Sequence, residues 1–105
     1  MYTSEEYVGL VYIDTTGATL YRLDLYDKKG KLICNLNIDF EYQNVLIQKN
    51  SVVVYSNTEC SMYNLSGKEK YRGVFGKSVS LLISANKANR FIMVSPDTID
   101  IIELN

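Results

Sequence analysis

A turn recurs along this chain, and its spacing limits what the chain can fold into. Leu25–Lys31 reads LYDKKGK, and 37 residues on, Met62–Lys68 reads MYNLSGK. A shortened third copy, IIELN, occupies Ile101–Asn105, 39 residues beyond Met62. Upstream of the three lie Gly9–Asp14 (GLVYID), Val52–Asn57 (VVVYSN) and Phe91–Pro96 (FIMVSP). Each unit reads as an apolar strand, a polar turn, a second strand, a Gly-Lys turn and two more strands. Four short antiparallel strands repeating at this period predict the blade of a β-propeller. A small β-sandwich or barrel is the alternative architecture.

The strand pattern runs the whole length. Strands are expected at Tyr7–Asp14, Thr19–Tyr26, Lys31–Ile38, Asn44–Gln48, Ser51–Tyr55, Cys60–Leu65, Lys68–Phe75, Ser78–Ile83, Arg90–Val94 and Thr98–Leu104. Gly, Asn, Asp and Ser clusters punctuate them. Ala85–Ala88 is the one place suited to a helical turn. Residues 1–105 read as a single all-β unit, with repeats approximately over 7–48, 51–83 and 90–104. Grouped as blades, the ten strands count three, four and three, so the first blade lacks its first strand and the last its fourth. Three blades are fewer than the roughly four a closed propeller needs. The expectation is therefore a C-terminal portion of a longer propeller, or a piece completed by another chain. Unpaired edges and uncovered faces at both ends predict a homo-oligomer, with a dimer as the simplest form.

The repeat also gives individual residues a place. Leu23 and Leu25 correspond to Cys60 and Met62, and to Ile99 and Ile101, while Asp24, Ser61 and Asp100 take the opposite face. Cys60 stands where Leu and Ile stand. Cys34 lies on the apolar face of Leu32, Leu36 and Ile38, so both cysteines read as small core hydrophobes. Tyr12, Tyr26, Tyr55 and Tyr63 fall at related strand positions. They predict inter-blade packing with the hydroxyl at a sheet edge, or a surface aromatic platform for a sugar or peptide.

Composition excludes several chemistries. The 105 residues carry 11 basic and 12 acidic side chains, a net charge of -1, which argues against a nucleic-acid partner. With no histidine, Ser-His-Asp and Cys-His catalysis and His-ligated metals are out. Two cysteines are too few for a Cys₄ zinc site or a disulfide framework. No cofactor is expected. No apolar run reaches the roughly 18 residues of a membrane helix, and Met1–Glu6 is too polar for a signal peptide. Asp97, Asp100 and Glu103 are close in sequence, but Asp100 and Glu103 point to opposite strand faces, as a solvated strand and a Pro-Asp turn would have it. Lys28, Lys29 and Lys68 read as solubilising charge beside the turns.

Four segments together carry a family resemblance: Tyr21–Lys31 (YRLDLYDKKGK), Asp39–Ile47 (DFEYQNVLI), Ser61–Gly73 (SMYNLSGKEKYRG) and Ser95–Asn105 (SPDTIDIIELN). They resemble the C-terminal end of an uncharacterised, β-propeller-like domain family of unknown function from low-GC Gram-positive bacteria. The resemblance implies a parent protein with an N-terminal membrane anchor in an extracytoplasmic, envelope-associated setting. It carries no functional residue, because its motifs are turns and core positions. The function expected is a non-enzymatic protein-interaction or scaffold module. The alternative is a carbohydrate- or peptide-binding module using surface tyrosines. An enzyme working with a carboxylate and a tyrosine is a more distant rival.

Overall fold

Alternating side chains select the strands, and the polar turns reverse them. The computed structural model describes residues 1–85, 87 and 89–104, and it is all-β. Among these residues eleven strands form three antiparallel sheets in chain order. The first holds β1 (Tyr2–Thr3), β2 (Tyr7–Ile13), β3 (Tyr21–Asp27) and β4 (Leu32–Ile38). The second holds β5 (Asn44–Ile47), β6 (Ser51–Tyr55), β7 (Glu59–Asn64) and β8 (Glu69–Val74). The third holds β9 (Leu81–Ser84), β10 (Arg90–Val94) and β11 (Ile99–Glu103). Within each sheet every strand pairs with its predecessor in the chain. There is no α-helix among the described residues, and none long and apolar enough to cross a membrane. The helical turn expected at Ala85–Ala88 extends over Asn86 and Ala88, which lie outside the described residues.

The strand count of three, four and three is corrected to four, four and three. The first sheet has its own first strand, because Tyr2 and Thr3 pair with Gly9 and Val8. The chain reverses through Ser4, whose hydroxyl accepts the Tyr7 N–H at 3.2 Å and whose own N–H donates to the Tyr7 carbonyl at 3.0 Å. Two residues are too few to show a period of two, so alternation does not reveal this strand. The first two sequence repeats begin at the second strand of one sheet and end in the first strand of the next, 7–48 spanning β2 to β5 and 51–83 running from β6 into β9, while 90–104 covers β10 and β11.

The recurring turn has one mechanism in both complete copies. Asp27 Oδ1 accepts the N–H groups of Lys29 and Lys31, at 2.9 and 3.0 Å. Asn64 Oδ1 accepts those of Ser66 and Lys68, at 3.0 and 3.1 Å. A short side-chain acceptor fixing its own downstream backbone is why Asp or Asn begins the motif. Gly30 and Gly67 follow with φ of 87° and 88°. That left-handed value lets a three-residue loop join the strands, with a bulge beside it. The register shifts between Leu25 and Tyr26 in one sheet and between Met62 and Tyr63 in the other.

The middle sheet is packed on both sides. All five residues of β6 are buried, which is why SVVVY reads as a continuous apolar run rather than an alternating one. Val52, Val54 and Tyr63 pack with Leu23, Leu25, Cys34, Leu36 and Ile38 of the first sheet. Val53, Tyr55, Cys60 and Met62 pack with Leu82, Phe91 and Met93 of the third. Fully burying each such side chain contributes about 1.5–3 kcal/mol, so these two layers hold the sheets together. Two tyrosines brace the junctions. Tyr63 Oη donates to the Asn37 carbonyl at 2.9 Å, and Tyr55 Oη accepts the Leu82 N–H at 3.0 Å. At the far edge, the Arg72 guanidinium pairs with Asp39 and lies 5.6 Å over the Phe40 ring. The first strands of successive sheets meet, β1 with β5 and β5 with β9.

Candidate functional site

The pairing registers show which residues are equivalent between sheets. Leu25 faces Gly9 across its ladder, Met62 faces Val53, and Ile101 faces Ile92. Leu23 and Leu25 therefore point forward, toward the next sheet in the chain, as do Cys60 and Met62. Their exposures are 0% and 0%, then 2% and 4%, because the next sheet covers them. Ile99 and Ile101 occupy the same positions in the third sheet and are 73% and 71% exposed. They do not stand alone. Ile101 pairs with Ile92, which pairs with Ile83; Ile99 pairs with Val94, which pairs with Leu81. Two rows of three aliphatic side chains thus cross the whole sheet. Scattered apolar residues on a surface are ordinary, whereas these six form one contiguous apolar face. Arg90 and Glu103 close one end of it with an ion pair at 2.9 Å.

The rear face of the first sheet is the other open surface. It presents Leu10, Tyr12 and Leu32, all exposed, with Val8 and Tyr26 half-buried among them; the register shift after Leu25 moves Leu32 here from the Cys34 face on which alternation placed it. Polar groups interleave: Arg22 and Asp24 lie beside Tyr12, whose hydroxyl donates to Asp24 Oδ1 at 3.3 Å. The Arg22 Nε has no hydrogen-bond partner. The equivalent faces of the second and third sheets carry Val52 and Val54, and Phe91 and Met93, each pressed on the preceding sheet.

The four tyrosines of the sequence pattern are not brought together. Tyr26 and Tyr63 are equivalent, but Tyr12 and Tyr55 are not. Tyr55 pairs with Cys60 and shares its forward face, whereas Tyr12 pairs with Arg22 on a rear face. Aligning GLVYID with VVVYSN is one residue out of register, and one residue moves a side chain to the other face. Tyr55 and Tyr63 are buried braces, while Tyr12 and Tyr26 lie on the open rear face.

The groups with displaced proton affinities have structural causes and lie apart. Burial pushes the Cys60 thiol up to about 11 and the Tyr42 phenol up to about 12, and raises the Cys34 thiol. Cys34 and Cys60 are free and sit in different cores, on either side of the middle sheet. Bonds from Thr16 hold the Asp14 carboxyl below its ordinary value, those from Lys31 and Lys29 do so for Asp27, and those from Lys77 and Thr98 for Asp100. Asp14 organises the loop before β3: Oδ1 accepts the Thr16 hydroxyl at 2.7 Å and Oδ2 the Thr19 N–H at 3.0 Å. Of the three acids near the C-terminus, Asp100 pairs with Lys77 at 3.0 Å, Glu103 with Arg90, and Asp97 is in an exposed turn. Among the described residues no group of three or more acidic or thiol side chains is placed to hold a metal.

Sequence reasoning found the equivalence of Ile99 and Ile101 with buried positions. It missed the Arg72–Asp39 pair, for which no local pattern exists, since Arg72 is in β8 of the second sheet and Asp39 in the link that follows β4.

The fold and its open faces define an all-β protein of stacked antiparallel sheets. The chain belongs to a family of unknown function, DUF5711, whose model matches residues 1–104. A search of curated proteins found no match.

Proposed function

We propose that the chain is a non-enzymatic interaction or scaffold module, a run of three propeller-like blades that binds a protein partner through an end face. The observation that carries this reading is the exposure of Ile99 and Ile101, whose equivalents are covered in both other sheets. Supporting the propeller-like arrangement are the chain-order meanders and the meeting of their first strands. In the same proposal the parent protein is an envelope-associated Gram-positive protein with a membrane anchor, as the resemblance implies. Affinity capture from a cell-envelope extract, with wild type and Ile101→Lys in parallel, tests it. A protein retained by the wild type and lost from the variant is the expected outcome; identical retention by both overturns it. The second reading, a carbohydrate- or peptide-binding module, draws on Tyr12 and Tyr26 sharing the open rear face. Glycan- or peptide-array binding that disappears in Tyr12→Ala would favour that reading.

A further inference from the structure

We infer that the cleft between the β8–β9 link and the β10–β11 turn binds an uncharged, hydroxyl-rich small molecule, by chemical class a single sugar ring. This site stands apart from the protein-partner face, and it gives the carbohydrate reading a place other than the tyrosines. Lys77 and Ser78 of the link form one wall, and Ser95, Pro96, Asp97 and Thr98 of the turn form the other, around a volume of about 330 Å³. Both walls belong to the junction of the second and third sheets, and neither includes the aliphatic rows of the third sheet.

Ser95 singles this cleft out. It is only 9% exposed, yet its Oγ has no hydrogen-bond partner among the described residues. The backbone N–H bonds that open the three corresponding turns identify its equivalents: Asp14 to Leu20, Ser56 to Glu59 and Ser95 to Thr98. Asp14 and Ser56 turn their side-chain oxygens on their own loops. Asp14 accepts from the N–H groups of Thr16 and Thr19, and Ser56 from those of Thr58 and Glu59. Ser95 makes no such bond. A buried hydroxyl without a partner is destabilising, and a group that supplies the bond recovers that loss. Rotation about one torsion moves Oγ between staggered wells, so the hydroxyl can turn to a molecule seated in the cleft.

The remaining groups set the class of ligand. Lys77 Nζ donates to Thr98 Oγ1 and Asp100 Oδ2, both at 3.0 Å, which holds the ammonium in place with one N–H donor left over. Asp97 is exposed, and its carboxylate has no partner among the described residues. An anion in the cleft would face Asp97 and a cation would face Lys77, so neither charge is favoured. A ligand with several hydroxyls and no charge suits both: one hydroxyl accepts from Lys77, another donates to Asp97, and Ser78 and Ser95 can do either. The Pro96 ring supplies apolar surface for the C–H face of a sugar. The volume lies at the small end of the roughly 300–1,000 Å³ usual for ligand sites, which suits one ring and not a chain of them.

Amide shifts of the full chain, titrated with glucose, galactose, mannose and N-acetylglucosamine, supply the test. A few hydrogen bonds at a surface cleft imply millimolar affinity, so each titration runs to about 50 mM. Saturable shifts at Lys77, Ser78, Ser95, Asp97 and Thr98 with at least one of the four are expected. Ser95→Ala should weaken that binding about three- to tenfold. It should leave the urea midpoint unchanged or raised, since it deletes an unpartnered hydroxyl. Ser56→Ala is the opposite case: binding stays and the midpoint falls, because that hydroxyl is bonded to its own loop. No saturable shift with any of the four sugars, equal shifts with glycerol, or tighter binding of glucuronate or glucosamine than of glucose would overturn the inference. Unchanged binding with a lowered midpoint in Ser95→Ala would assign the hydroxyl to an ordered water only, and overturn it as well. Binding lost in Tyr12→Ala but kept in Ser95→Ala overturns this site and retains the tyrosine reading. A chain that binds no sugar yet captures a protein through Ile101 overturns this site and retains the protein-partner reading.

Discussion

Gly30 and Gly67 hold the same place in the same turn, yet replacing them with alanine should have different consequences. Their φ values, 87° and 88°, are nearly identical. The left-handed conformation costs a non-glycine residue about 1–2 kcal/mol. Restricting the unfolded chain returns roughly 0.4–1 kcal/mol. Gly30→Ala should therefore destabilise by no more than about 1.6 kcal/mol, because a Cβ there meets nothing within 4 Å. A Cβ on Gly67 would lie 2.7 Å from the carbonyl oxygen of Asn35 in β4 of the first sheet. That oxygen belongs to backbone, so relief requires moving a strand rather than rotating a side chain. Overpacking of this kind adds roughly 1–3 kcal/mol. Gly67→Ala should then cost about 1–4.6 kcal/mol, about 1–3 kcal/mol more than Gly30→Ala, and that difference isolates the junction from the turn. Urea unfolding of both variants under identical conditions, with unchanged slopes, supplies the measurement. Equal losses for the two would show that the turn of the second sheet does not press on the first, and the packing argument would fail.

Two other outcomes follow from the same structure. Native Cys34 and Cys60 should react slowly with thiol reagents and quickly after unfolding, since burial hides both and raises their proton affinities; Cys60→Ser should cost about 1–3 kcal/mol by burying a hydroxyl, and rapid native labelling of either thiol would refute the assignment. Asp27 has its carboxyl held below the ordinary 3.8 by the N–H groups of Lys31 and Lys29, so its contribution is complete above that value and is lost as pH falls through the depressed one. Asn64 makes the same two bonds without a charge, so Asp27→Asn should fold and lose less stability than wild type as the pH falls below 3.8; identical acid profiles would remove Asp27 from the account.

Much of the fold is local and was legible in the sequence. Asp or Asn three residues before Gly, then Lys, specifies the tight turn by a side-chain bond and a left-handed glycine, both short-range effects. Period-two alternation specifies strands, and its repetition ties Leu23 and Leu25 to Cys60 and Met62 and to Ile99 and Ile101. The all-β class and the place of both cysteines follow from that. Faces and neighbours are a different matter. Tyr12 and Tyr55 look alike in their motifs, but the loop Asp14–Leu20 is longer than the turn Ser56–Thr58, and the ladder register that results sends them to opposite faces. Tyr2 and Thr3 become a strand only because β2 offers them an edge. Gly30 and Gly67 differ only through the first sheet's Asn35, and Arg72 meets Asp39 only when two sheets stack. Ile99 and Leu23 have one local pattern and opposite exposures, since burial depends on whether another sheet lies above. The sequence by itself determined the strands, the turns and the apolar character of each face; contacts between residues far apart in the chain decided which of those faces were covered.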